Sequence, residues 1–137
     1  MITIDDYFKA HDAEGGDWRK RAALAFTPTL EANAERTVAL ANQLMEEFGE
    51  WRTVTSGWRP PAYNVIVPNA AKYSMHLTCE AVDLEDHDGE LDEWIAGVEG
   101  LEVLKRLGLW AEHQAATKGW SHVQIRPPKS GRRIFYP

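Results

Sequence analysis

Two histidines and one aspartate, His76, Asp83 and His122, are the side chains best suited by type to hold a divalent metal. Imidazole nitrogens and carboxylate oxygens are ordinary zinc ligands, and three protein ligands leave a tetrahedral ion one position for water, as a hydrolytic centre requires. His76 and Asp83 stand too far apart in Ser74-Met75-His76-Leu77-Thr78-Cys79-Glu80-Ala81-Val82-Asp83 to share one helical face, so the chain must turn between them. If residues 81–84 form a strand, Ala81 and Asp83 point to the same side, and a small residue beside the aspartate leaves room for an ion and its water. In Trp120-Ser121-His122-Val123-Gln124-Ile125, alternation puts His122 and Gln124 on one face and the apolar Val123 and Ile125 on the other. Antiparallel neighbours lie ~4.8 Å apart, so Asp83 and His122 can converge on one ion, with His76 arriving from the preceding loop. Spacing alone leaves a second possibility open, in which the three are ordinary solvated side chains.

The elements that must position these residues are readable from caps and periodicity. Thr3 caps a short helix with Asp5 and Asp6 in its first turn, and the polar stretch over residues 11–21 has no period and reads as an irregular wrap. Thr27-Pro28 opens a helix carrying Leu30, Ala34, Val38, Ala41, Met45 and Phe48 on one face, and Gly49 ends it. Residues 51–55 alternate like a strand and run into Ser56-Gly57-Trp58-Arg59-Pro60-Pro61, read as a loop at a strand end. After the strand at 81–84, the turn Asp86-His87-Asp88-Gly89 leads into a helix with Leu91, Trp94, Ile95 and Val98 on one face, its far end blurred by Gly97 and Gly100. Asp86, Asp88 and Glu90 partly resemble a calcium loop but lack its later ligands, which favours a solvated turn with helix capping. Strands are expected over 109–112, 120–125 and 132–135, the last two separated by the turn Lys129-Ser130-Gly131. Helices early and strands late favour an α+β fold.

The chain has 137 residues, 44% of them hydrophobic, which suits one domain over residues 1–137 with one active site. Its formal charge is -6, and no Lys/Arg cluster is dense enough to track phosphates, so nucleic acid is excluded as a partner. Cys79 is the single cysteine and has no partner for an internal disulfide. Met1-Ile2-Thr3-Ile4-Asp5-Asp6 lacks the basic start and apolar run of a signal peptide, and no stretch is apolar for long enough to insert in a membrane. The expectation is a monomer made in the cytoplasm without a leader.

Thr55-Ser56-Gly57-Trp58-Arg59-Pro60, then Ser74-x-His76 with Ala81-x-Asp83, then Gly119-Trp120-Ser121-His122-Val123-Gln124 follow one another in an order that closely resembles the zinc D-alanyl-D-alanine carboxypeptidase family. That family includes bacterial D,D-carboxypeptidases, D,D-dipeptidases and phage endolysins, and shares its fold core with the signalling domain of hedgehog proteins. The similarity runs over residues 30–137, and Lys129-Ser130-Gly131-Arg132-Arg133-Ile134-Phe135 looks like the ending of phage-encoded members. The resemblance implies a small antiparallel sheet carrying the zinc site and packed against helices.

It also implies roles. His76, Asp83 and His122 correspond to the zinc ligands, and Arg59 to an arginine that binds a substrate carboxylate or polarises the scissile carbonyl, the alternative being an ion pair that caps the loop. Ser74 corresponds to a hydroxyl that bonds the substrate, with a loop-stabilising role equally open. Trp58 and Trp120 flank the site; core packing competes with lining a substrate groove. Two positions depart from the family. Cys79 stands where many relatives have a glycine that permits a tight backbone, and reads as a small buried hydrophobe. Gly119 stands where several members carry the general-base glutamate. Glu112, at a place where phage-type relatives carry glutamate, is the substitute, unless it serves only in a surface ion pair. His113 should face away from Glu112.

The implied activity is zinc-dependent hydrolysis of D-amino-acid-containing peptide bonds in peptidoglycan stem peptides or cross-links. The context it suggests is a phage endolysin released through a holin, or a lysin carried in the virion. Two rivals remain at this point: a cytoplasmic D-Ala-D-Ala dipeptidase or carboxypeptidase, and a non-catalytic zinc-binding structural module.

Overall fold

The computed structural model describes residues 1–10 and 16–137. Capping decides where its helices begin. The Thr3 hydroxyl accepts from Asp6 N, and Asp6 in turn accepts from Thr3 N, opening α1 (Ile4–Lys9), which buries Tyr7 and Phe8. Asp17 accepts from Arg19 N and opens one turn of helix, α2 (Trp18–Arg21), inside the stretch expected to be irregular; residues 11–15 of that stretch lie outside the described residues. In α3 (Pro28–Phe48) the Thr27 hydroxyl accepts from Leu30 N, proline takes the first turn, and Gly49 closes the helix in the left-handed conformation. Its buried face includes Ala34, Val38, Ala41, Leu44 and Met45.

Among the described residues five strands form one sheet: β1 (Val54–Ser56), β2 (Ala81–Asp86), β3 (Trp110–Glu112), β4 (Gly119–Gln124) and β5 (Ile134–Phe135), in the order β1-β2-β4-β3-β5. The sheet is mixed. Its first three pairings are antiparallel as expected, but β3 and β5 run parallel, with Ala111 opposite Ile134. After β4 the chain passes round to the free edge of β3, turning where Gly131 N donates to Pro128 O, so β5 enters in the direction of β3. The strand at 51–55 is displaced to Val54–Ser56, and Pro61–Asn64 forms a helical turn, α4, where the prolines predict a loop. Proline suits that first position because its missing N–H has no helical partner there.

Alternation divides the two central strands between a core and a site. Val82 and Leu84 of β2, with Val123 of β4 and Ile125 just beyond it, join the apolar core with α3, and each such fully buried Val, Leu or Ile side chain contributes roughly 1.5–3 kcal/mol. Asp83 and His122 project from the opposite face.

Two helices stand where the periodicity predicts one. α5 (Glu90–Ala96) stops at Gly97, whose extended backbone starts α6 (Val98–Leu107). Val98 is therefore 87% exposed rather than part of the apolar face. A methyl at Gly100 would collide with the Trp94 carbonyl, so only glycine permits this close succession. The turn before α5 does cap the helix, but Asp86 is buried, not solvated: its carboxylate accepts from Leu91 N (3.0 Å) and Asp92 N (2.9 Å). Ser121 Oγ bridges the Asp86 and Asp92 carboxylates, fastening α5 to the rear of β4. Burial, with the Asp86 charge adding to it, pushes the Asp92 carboxyl up. Among the described residues no helix is long and apolar enough to cross a membrane.

Gly57, just after β1, packs against α1 so closely that an added methyl would collide with the Tyr7 backbone carbonyl. Gly57→Ala should cost about 3 kcal/mol in urea unfolding, the upper end for overpacking. Gly131→Ala meets nothing but sits at positive φ, so it should cost only about 1 kcal/mol.

Candidate metal centre

The register of β2 against β4 sets Asp83 directly opposite His122. His76 comes from a single 3-10 turn, Met75–Thr78, which Ser74 caps by accepting from His76 N at 3.2 Å. That turn is pinned on both sides: Arg59 N donates to His76 O (3.1 Å), and Trp58 Nε1 donates to Leu77 O (3.2 Å). At its end Cys79 adopts φ +59, the left-handed backbone that glycine takes without strain. Its thiol is buried in the core, and burial pushes it up to about 12, so it stays protonated and inert.

His76 Nε2 lies 3.2 Å and His122 Nδ1 2.8 Å from the same oxygen, Asp83 Oδ1. The three buried residues offer ligand atoms all within 4.8 Å of one another, the grouping of metal-ligand type found among the described residues. Each ring's outer nitrogen faces an acceptor: His76 Nδ1 donates to Gly57 O (2.8 Å) and His122 Nε2 donates to Gln124 Oε1 (3.0 Å). Gln124 is oriented for this because its Nε2 donates to Arg126 O at 2.7 Å. With protons on the outer nitrogens, the lone pairs point inward, the tautomers a metal needs. This donor set fits zinc, which takes imidazole nitrogen and carboxylate oxygen together.

The electrostatics agree. Burial alone would raise the Asp83 carboxyl, but His76 and His122, through charge and hydrogen bonds, outweigh it and hold the group well below the usual carboxylate range. Burial opposes a charge on His122 as well, yet the Asp83 hydrogen bond and charge, helped by Glu112, push it up to about 9. A metal ion at this point therefore competes with a proton for the His122 nitrogen.

Around the centre opens a cleft of about 650 Å³ lined by the three residues together with Arg59, Ser74, Glu112 and Trp120. Seven of the residues singled out from the sequence are thus brought together. Arg59 Nη2 lies 3.4 Å from Asp83 Oδ2, and its Nε donates to Ser56 Oγ (3.0 Å), so this arginine steadies the ligand carboxylate while facing the cleft. Glu112 Oε1 lies 3.9 Å from His122 Nε2, near the ring's outer nitrogen. His113 turns away and stacks on Tyr136 at 4.5 Å. Trp58 belongs to the core, against Phe8 and Phe26, whereas Trp120 lines the cleft. Gly119 has φ +97, a conformation side chains rarely adopt, so a glutamate is disfavoured there and a base must come from elsewhere. The contact by which Gln124 orients His122 is not revealed by the sequence; its signal is the place of Gln124 on the same strand face, two residues after His122.

A family model described as Peptidase M15 matches residues 15–122. The matched span contains all three metal-site residues and Arg59, Ser74, Glu112 and Trp120. No curated protein and no solved structure matches the chain.

Removing the Gln124 acceptor frees the His122 ring to rotate and change tautomer. Gln124→Ala should weaken zinc binding by about 10- to 100-fold, the usual loss for a partner that orients a ligand, and Cys79→Ala should leave it unchanged; competition with a chromogenic chelator measures both.

Proposed function

Because the chain belongs to the peptidase M15 family, whose members are zinc-dependent peptidases, we propose that it hydrolyses D-amino-acid-containing peptide bonds in bacterial peptidoglycan, as a phage endolysin or virion-associated lysin. In this reading it reaches the wall through a holin or with the particle. The observation that carries the catalytic reading is the convergence of His76 Nε2, Asp83 Oδ1 and His122 Nδ1 beneath an open cleft rather than inside closed protein. A structural zinc site has all its positions taken by protein, whereas a catalytic one keeps a place for water.

His76, Asp83 and His122 would hold the zinc, which supplies Lewis acidity toward a water and the scissile carbonyl. Glu112 takes the proton from the attacking water and passes it to the leaving amine nitrogen, the two-way transfer that a single positioned carboxyl can perform. Arg59, 3.4 Å from Asp83 Oδ2, steadies that carboxylate and presents its remaining donors to the carbonyl oxygen as negative charge develops. The outer-nitrogen bonds to Gly57 O and Gln124 Oε1 keep both imidazoles from turning during turnover.

Zinc-loaded protein should release peptides from purified sacculi, detected and assigned by mass spectrometry, and a chelator should stop the release. Glu112→Ala should bind zinc as tightly as the parent while kcat falls at least ~100-fold, the lower bound for losing a general base. Zinc binding without turnover on either sacculi or free D-Ala-D-Ala would contradict the proposal in favour of a structural module. Turnover of the dipeptide alone would make it a dipeptidase with a soluble substrate.

A further inference from the structure

Beyond the metal residues, two segments line the cleft: residues 67–71, uncharged throughout, and Ala116 with residues 118–120, which carry Lys118 and Trp120. The permanent positive charges in the cleft are Arg59 and Lys118. Arg59 is committed to Asp83 and Ser56. Lys118 is exposed, and among the described residues no hydrogen bond or ion pair engages it. Its neighbours in the cleft do not supply a counter-charge either: Asp83 is held by two imidazoles and Arg59, Glu112 stands beside His122, and the adjacent His87 pairs with Glu85 at 3.2 Å.

An uncommitted ammonium group at the rim of a substrate cleft, in a chain of formal charge -6, has a use if the ligand brings the missing carboxylate. Position narrows which carboxylate. Trp120 and His122 share one face of β4, and Lys118 sits at a bend just ahead of that strand, before Gly119 (φ +97), where it lines the same cleft four residues from His122, at most about 13 Å at ~3.3 Å per residue. An extended peptide with its scissile bond at the metal group spans that distance in about four residues, and the lysine's own length shortens the requirement.

We propose that Lys118 is a specificity-determining residue that binds a free carboxylate of the peptide substrate two to four residues from the bond cleaved, so that the site takes acidic peptides ahead of their amidated counterparts. This rests on the reading that the cleft cleaves peptides. The stem peptides of peptidoglycan carry carboxylates of this kind.

The test compares two synthetic stem peptides identical except for carboxylate or carboxamide at that distance, with zinc-loaded wild type, Lys118→Ala and Lys118→Glu. The wild type should favour the carboxylate form about fivefold in kcat/KM, mainly through KM, which is the upper range for a solvent-facing ion pair. Raising the salt concentration should shrink the preference; Lys118→Ala should abolish it and Lys118→Glu should reverse it. Equal turnover of the two peptides by the wild type, or a preference that survives in Lys118→Ala, would overturn the assignment. If the wild type cuts neither peptide, the failure belongs to the proposed function. Calorimetric binding of the same pair to zinc-loaded protein then decides the lysine: a fivefold preference lost in Lys118→Ala upholds it, and equal binding overturns it.

Discussion

The pairing of β2 with β4 is the constraint on which the rest depends. With Asp83 directly opposite His122, the two side chains meet on the side of the sheet away from the core. A slip of one residue would send every side chain of one strand to the other face, burying the imidazole or carboxylate among Val82, Leu84 and Val123. The same alternation that specifies the core therefore specifies the site. The rear fastening by Asp86, Asp92 and Ser121 holds the register at the strands' other end, where Asp86 pairs with Gly119.

Placing an ionised aspartate where it is almost fully buried is costly unless its lone pairs are used. Here Asp83 spends one oxygen on two imidazoles and turns the other to Arg59, and the imidazoles themselves are tethered outward to Gly57 O and Gln124 Oε1. Gly57 links this to the packing of the N-terminal helix, because the residue whose carbonyl orients His76 is also the one whose missing side chain lets the loop approach Tyr7. Orientation of the ligands is thus inherited from backbone packing more than from long flexible side chains, and so the centre can be preorganised.

Much of this was legible in the sequence, for local reasons. Thr27-Pro28 and Gly49 bracket α3 because capping chemistry acts within one turn, and the alternation in 120–125 separates His122 from Val123 without knowledge of any partner strand. The motifs in their order point to the family. What stayed hidden depends on distant partners. The parallel entry of β5 is decided by the path of residues 125–133, not by the two residues that pair. The split between α5 and α6 escapes a periodicity count because Leu91, Trp94, Ile95 and Val98 fit one helix, and only the extended backbone of Gly97 breaks it. Asp86 reads as solvated until Ser121 and Asp92 are seen closing over it. Gln124 lies on the face expected of it, but its task follows only from which His122 nitrogen points inward.

The claim that one ion sits between these three side chains is tested most directly by diffraction from zinc-loaded crystals with data collected on both sides of the zinc absorption edge. The account predicts a single strong anomalous peak ~2.0–2.2 Å from His76 Nε2, Asp83 Oδ1 and His122 Nδ1, with a water as the fourth neighbour. A peak elsewhere, coordination through His122 Nε2, or a fourth ligand supplied by the protein would contradict it.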